Sequence, residues 1–147
     1  MDEIAPRLEM PVFAQTAGGT FRPGNIQWCD MVDPAEFEAM ASRASLIVAH
    51  AGIGSVLMAQ KHRKPIIIFP RRAALGEHRN DHQLATCVAL ENRRGVHVAH
   101  SAGELERYLR QPPTLDAVEE DGAQRRRFIA NLAALLNGKP RPENETP

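Results

Sequence analysis

The chain has 147 residues, 43% of them hydrophobic and 24% charged, and its 18 basic and 18 acidic residues cancel. That length suits one compact domain, and zero net charge argues against nucleic-acid binding as the main activity, leaving room for a local patch that holds one phosphate group. No stretch reaches the about 20 apolar residues of a membrane span, Met1-Asp2-Glu3 lacks the basic and apolar regions of a signal peptide, and Cys29 and Cys87 form neither a disulfide framework nor a zinc pattern, which leaves a cytoplasmic globular domain.

The chain opens on a polar segment, residues 2–9. Pro11-Val12-Phe13-Ala14-Gln15-Thr16-Ala17 reads as a strand closed by Gly18-Gly19, Pro23-Gly24-Asn25 as a turn, and residues 26–31 as a second short strand. Asp33-Pro34-Ala35-Glu36 predicts a helix start, with Asp33 as N-cap and proline at the first helical position. Phe37, Met40 and Ala44 continue it at helical spacing.

Leu46-Ile47-Val48-Ala49 is a continuous apolar run, the pattern of a strand buried on both faces. His50-Ala51-Gly52-Ile53-Gly54-Ser55 follows, then a helix over about 56–62 that Lys64-Pro65 stops. Ile66-Ile67-Ile68-Phe69 is the next buried strand, closed by Pro70. A charged loop covers 71–80, and a helix is predicted over about 81–92 with Leu84 and Val88 marking a face. Residues 96–99 form a short strand, and Ser101 with Glu104 makes a capping box for a helix ending at Arg110. Pro112-Pro113 breaks the chain. A last helix over about 123–136 carries Phe128, Leu132 and Leu135 on one stripe, and the polar tail after Gly138 reads as disordered. The alternation of strand and helix argues for a Rossmann-like α/β domain, a parallel sheet with helices on both faces, over residues 1–137.

In such a sheet the ligand crevice lies at the carboxyl ends of the strands. Gly52 and Gly54 let main chain approach a ligand. The N–H groups that open the following helix lack intrahelical partners and, with the helix dipole, favour an anion such as phosphate. Ser55 adds a hydroxyl and His50 a ring donor. The loop after the second strand, Pro70-Arg71-Arg72 and then Glu77-His78-Arg79-Asn80-Asp81-His82-Gln83, faces the same crevice. Arg72 suits a phosphate; Asp81 and Gln83 suit sugar hydroxyls. His78 and His82 have the four-residue spacing of a metal pair, but no third ligand stands out, so no metal and no cofactor is expected. Trp28 reads as packing, and both cysteines as inert small hydrophobes.

The run from His50 to Ser55, with Pro65-Ile66-Ile67-Ile68-Phe69-Pro70-Arg71-Arg72 and Glu77-His78-Arg79-Asn80-Asp81-His82-Gln83-Leu84-Ala85, resembles the C-terminal, donor-binding half of family 28 glycosyltransferases over about residues 13–109. The likeness extends to its stand-alone members, among them soluble subunits of two-part UDP-GlcNAc transferases and small subunits of bacterial exopolysaccharide glycosyltransferases. The resemblance implies one half of a two-domain GT-B fold. It implies that His50, Gly52, Gly54 and Ser55 hold a UDP diphosphate, that Asp81 and Gln83 contact the donor sugar, and that no metal is needed. Two features depart from the family pattern. Met58 stands where many relatives carry a carboxylate for the ribose, with Gln60 nearest to replace it, and the first strand of the fold is missing. The expectation is a UDP-sugar-dependent, inverting hexosyltransferase subunit. Its general base, acceptor site and lipid-linked acceptor belong with a membrane-anchored partner that holds the chain at the inner face of the membrane. A non-catalytic UDP-sugar sensor or assembly subunit is the alternative reading.

Overall fold

A computed structural model describes residues 1–71, 82–91 and 93–115. Residues Met1–Leu115 form one compact unit. The expected helix over 123–136, the polar tail, and site residues Arg72 and Asp81 lie outside the described residues.

Among the described residues five strands form two parallel sheets. Strand β1 (Phe13–Gln15) pairs with β2 (Gln27–Cys29), with Ala14 opposite Trp28. Strands β3 (Ile47–His50), β4 (Ile66–Phe69) and β5 (Val96–Val98) form the second sheet in that order. Val48 stands opposite Ile67 and His50 opposite Phe69. Helix α1 (Pro34–Arg43) joins β2 to β3, α2 (Ile53–Lys61) joins β3 to β4, α3 (His82–Leu90) precedes β5, and α4 (Ala102–Arg110) follows it. The repeated strand–helix–strand order is the α/β Rossmann-like arrangement that the sequence predicts. The crossover helices let successive strands run parallel.

Strand β4 is the centre of the core. Ile67 packs with Ile4, Ala99, Leu105 and Leu109. Alternate side chains of a strand point to opposite faces. Ile66 and Ile68, on the face opposite Ile67, are as completely buried as Ile67 itself, so both faces of β4 are covered. Strand β3 differs from the expectation of burial on both faces: Ile47, Val48 and Ala49 are half-buried and His50 is exposed. Among the described residues β3 pairs with β4 alone, so its apolar run stands at a sheet edge.

Four local readings change. The opening segment is not simply polar: Ala5–Arg7 is a short 3-10 helix, and Ile4 and Ala5 are buried. Helix α2 begins at Ile53, three residues earlier than its apolar content indicates, because Gly52 serves as its N-cap. Helix α3 turns inward a different stripe, Gln83, Cys87 and Leu90, while Val88 is 68% exposed. In α1, Ala41 is the buried residue and Phe37 is exposed.

The predicted caps form. The Asp33 carboxylate accepts from the Ala35 N–H. The Ser101 hydroxyl accepts from the Glu104 N–H, and the Glu104 carboxylate accepts from the N–H of His100, one residue before the cap. Gly95 adopts a φ of +74°, and a Cβ there would collide with Leu115. It turns the chain into β5 in a conformation that L side chains rarely adopt.

Candidate functional site

The carboxyl ends of β3 and β4 lie side by side, and three elements meet there. His50 ends β3, where the chain leaves the sheet for the loop to α2. The Gly52 N–H donates to the His50 carbonyl at 2.7 Å, turning the chain tightly. The His50 ring lies over Gly52 so closely that a Cβ at residue 52 would overlap its Cε1. Gly52 is thus needed for the ring's position, a stronger demand than general loop freedom.

Helix α2 starts immediately after. Its first turn, Ile53-Gly54-Ser55, carries no acidic residue, and Gly52 supplies no side-chain cap. The first N–H groups of a helix have no partner within it and carry the positive end of its dipole. Gly54 is exposed, and among the described residues no atom outside its own helix backbone and chain neighbours lies within 4 Å of where its Cβ would be. The fold itself therefore does not require glycine at residue 54, whereas a group approaching the helix terminus would.

Gln83 completes the arrangement. It sits in the first turn of α3 and is only 7% exposed. Its Oε1 accepts from the Arg71 main-chain N–H at 2.9 Å, and its Nε2 lies 3.3 Å from Nδ1 of His50. Arg71 directly follows Pro70, a residue without an N–H, at the end of β4. One amide side chain therefore spans the ends of both strands.

A cleft of about 610 Å³ opens beside this cluster. Val48, Ala49 and His50 line it from β3, and Phe69, Pro70 and Arg71 from the end of β4. The 3-10 helix region and the start of α4 supply the opposite side, including Asp2, Arg7, Gly103 and Glu106. These residues were not legible as part of the site. The one available signal was the pair Ile4 and Leu8, spaced one helical turn apart in an otherwise polar stretch. Of the described sequence-predicted site residues, His50 lines the cleft, whereas Gly52, Gly54 and Ser55 on the α2 loop and first turn, and Gln83 on α3, do not. Met58 and Gln60 are half-buried on α2.

Arg7 and Glu106 at the cleft are paired. Arg7 makes two hydrogen bonds to Glu106, at 3.0 and 2.9 Å, and Arg110 makes two more. The Arg7 guanidinium, then Arg110, holds the Glu106 carboxyl below its usual range, while Glu106 raises Arg7. Asp2 accepts from the Gly24 and Asn25 N–H groups, which lower its pKa and pin the turn between β1 and β2. The Arg22 guanidinium lies 4.9 Å from the Trp28 ring centre and pairs with Asp30, so Trp28 has a packing partner. Among the described residues no group of three His, Cys, Asp or Glu side chains could hold a metal ion, and no helix is long and apolar enough to cross a membrane.

At this end of the sheet His50 is exposed, the first turn of α2 holds no acidic residue, and Gly54 is exposed beside them. The sequence profile of the glycosyltransferase family 28 C-terminal domain matches residues 7–110. That span runs from Arg7 to the end of α4 and includes His50, Gly52, Gly54, Ser55 and Gln83, while the part of the cleft wall at Asp2 lies outside it. No curated protein and no solved structure matches the chain significantly.

Proposed function

The chain belongs to glycosyltransferase family 28 through its C-terminal, donor-binding domain, and from that membership we propose that it binds a UDP-sugar and delivers the hexose, with inversion, to a lipid-linked acceptor. The observation that carries this reading is His50 at the carboxyl end of β3, seated on Gly52 and braced by Gln83 beside the α2 N-terminus.

In the proposed reaction an acceptor hydroxyl attacks the anomeric carbon, the bond to the diphosphate oxygen breaks, and UDP leaves. Negative charge grows on the diphosphate as that bond breaks. Donors already aimed at the place where charge develops lower the barrier without reorganising. His50, Ser55 and the main chain at Gly52 and Gly54 take that role, with Arg72 as a further cation. Asp81 and Gln83 are assigned to the donor sugar on the family resemblance. The general base and acceptor site belong to a membrane-anchored partner subunit, which would place the chain at the inner face of the membrane.

Calorimetry with UDP, UDP-GlcNAc, UDP-glucose and UDP-glucuronate tests the reading. One UDP-sugar should bind more tightly than UDP alone, and His50→Ala should weaken binding by about 0.5–3 kcal/mol, the range of a neutral or charge-assisted hydrogen bond. Asp81→Ala should weaken the sugar nucleotide more than UDP. Heat signals absent for all four ligands, or unchanged affinity in His50→Ala, would remove this loop from donor binding.

A further inference from the structure

We propose that Gln83 is a positioning residue that fixes the tautomer of His50, holding the imidazole with its proton on Nε2. A main-chain N–H can only donate, so the Gln83 atom facing Arg71 at 2.9 Å is the amide oxygen. The other amide atom is then the –NH2, and it faces His50 Nδ1 at 3.3 Å. An amide –NH2 can only donate, so Nδ1 must accept, and a neutral imidazole that accepts at Nδ1 carries its hydrogen on Nε2. The orientation of the amide is thus set by β4, and the tautomer of the ring at the end of β3 is set by the amide.

Two more observations make this a rigid setting. Gln83 is 7% exposed, so water does not compete freely for its amide. The His50 ring is held from below by the close approach of Gly52, where no side chain fits. The ring cannot tilt toward Gly52, and turning it over would set the edge carbon opposite the –NH2. Rotating the amide instead would strip the Arg71 N–H of its acceptor at the end of a buried strand.

The consequence rests on the donor-binding reading. A ring that donates from Nε2 suits an anionic oxygen; the other tautomer would present a lone pair there and repel it. Gln83 would therefore act on the diphosphate through His50, whatever further contact it makes with the sugar.

The test is nitrogen-detected NMR of the histidine rings in the unliganded protein, with His50 assigned by comparison with His50→Ala. In the wild type His50 should show an unprotonated Nδ1 and a protonated Nε2. Gln83→Glu keeps an acceptor for the Arg71 N–H but replaces the donor facing the ring with a second acceptor, so Nδ1 should become protonated. Gln83→Met removes both polar atoms and should leave exchange-averaged shifts from both tautomers. UDP affinity should fall in both variants at least tenfold while the main-chain amide spectrum stays that of the wild type. A protonated Nδ1 in the wild type, or Nδ1 still unprotonated in Gln83→Glu, overturns the proposal. If Gln83→Glu does not fold, Gln83→Met decides, and ring shifts identical to the wild type overturn it. The tautomer readout needs no ligand, so failure of UDP to bind at all would count against the donor reading and leave the ring result standing.

Discussion

At residues 52 and 54 two glycines two positions apart answer to different demands. A Cβ at residue 52 meets the His50 ring. Gly52→Ala should therefore move the ring off Gln83, weaken UDP binding and lower stability together. A Cβ at residue 54 meets, among the described residues outside its own helix backbone and chain neighbours, nothing within 4 Å. Valine is no worse than glycine as a helix residue, so Gly54→Val should leave the thermal midpoint unchanged or slightly raised. Its branched side chain would nevertheless occupy the approach to the α2 terminus, and UDP affinity should drop severely. Thermal unfolding and calorimetry on the two variants separate a glycine kept for the protein from one kept for a ligand. Parallel losses of stability and affinity in Gly54→Val would show that residue 54 also serves the fold.

Helices and strands were legible where a local device encodes them. Asp33-Pro34 and Ser101 with Glu104 announce helix starts by their own hydrogen-bonding chemistry, and both caps are present. Each Ser101→Ala or Asp33→Ala change should cost about 1 kcal/mol, read from denaturant unfolding. The apolar run of β4 likewise predicts its own burial. The misreadings arise where the deciding partner is distant. The inward stripe of α3 begins at Gln83, a polar residue that periodicity discards, because its partners are main chain at Arg71 and a ring 33 positions away. The run in β3 is as apolar as that in β4, yet it is half-buried: among the described residues β3 has a strand on one side only, whereas β4 has one on each. The 3-10 helix hid in a polar stretch because its anchors are few: Ile4 enters the core around Ile67 and Leu105, with Met1 and Leu8 packed against it. Ile4→Ala should destabilise by about 2–5 kcal/mol, as for other buried aliphatic truncations. A loss below about 1 kcal/mol would mean that the segment only lies on the surface. In the candidate site, sequence spacing identifies the His50 loop, while the cleft wall formed by residues near Arg7 and Glu106 depends on a pairing across 99 positions.

Among the described residues, groups whose pKa values are shifted by the fold set a window of maximal stability, and each edge of it has a named source. Burial holds the His97 imidazole below its usual 6.5, beside the Tyr108 ring at 5.5 Å. Above 6.5 both folded and unfolded chains hold it neutral; below, the unfolded chain takes the proton first, so stability falls as pH drops. A second decline follows at lower pH. The carboxyls of Asp2, Asp30, Glu38 and Glu106 are all held below their usual values, by the Gly24 N–H, the Thr16 hydroxyl, Lys61 and Arg7 respectively. The unfolded chain protonates these groups first, and each exposed pair adds little because solvent screens it. At the alkaline edge, burial raises the Cys87 thiol from 9.0 to about 11. Between those values the unfolded chain releases the proton and the folded chain keeps it, so stability falls as pH rises. Thermal midpoints measured across this range under reducing conditions should form a plateau bounded near 6.5 and 9.0. His97→Gln should remove the first acidic decline and leave the carboxylate decline in place. Cys87→Ala should flatten the alkaline side, though its midpoint will be lower throughout because a buried thiol is lost. If His97→Gln retains the same decline just below 6.5, a different group governs that edge, and β5 does not hold its histidine neutral.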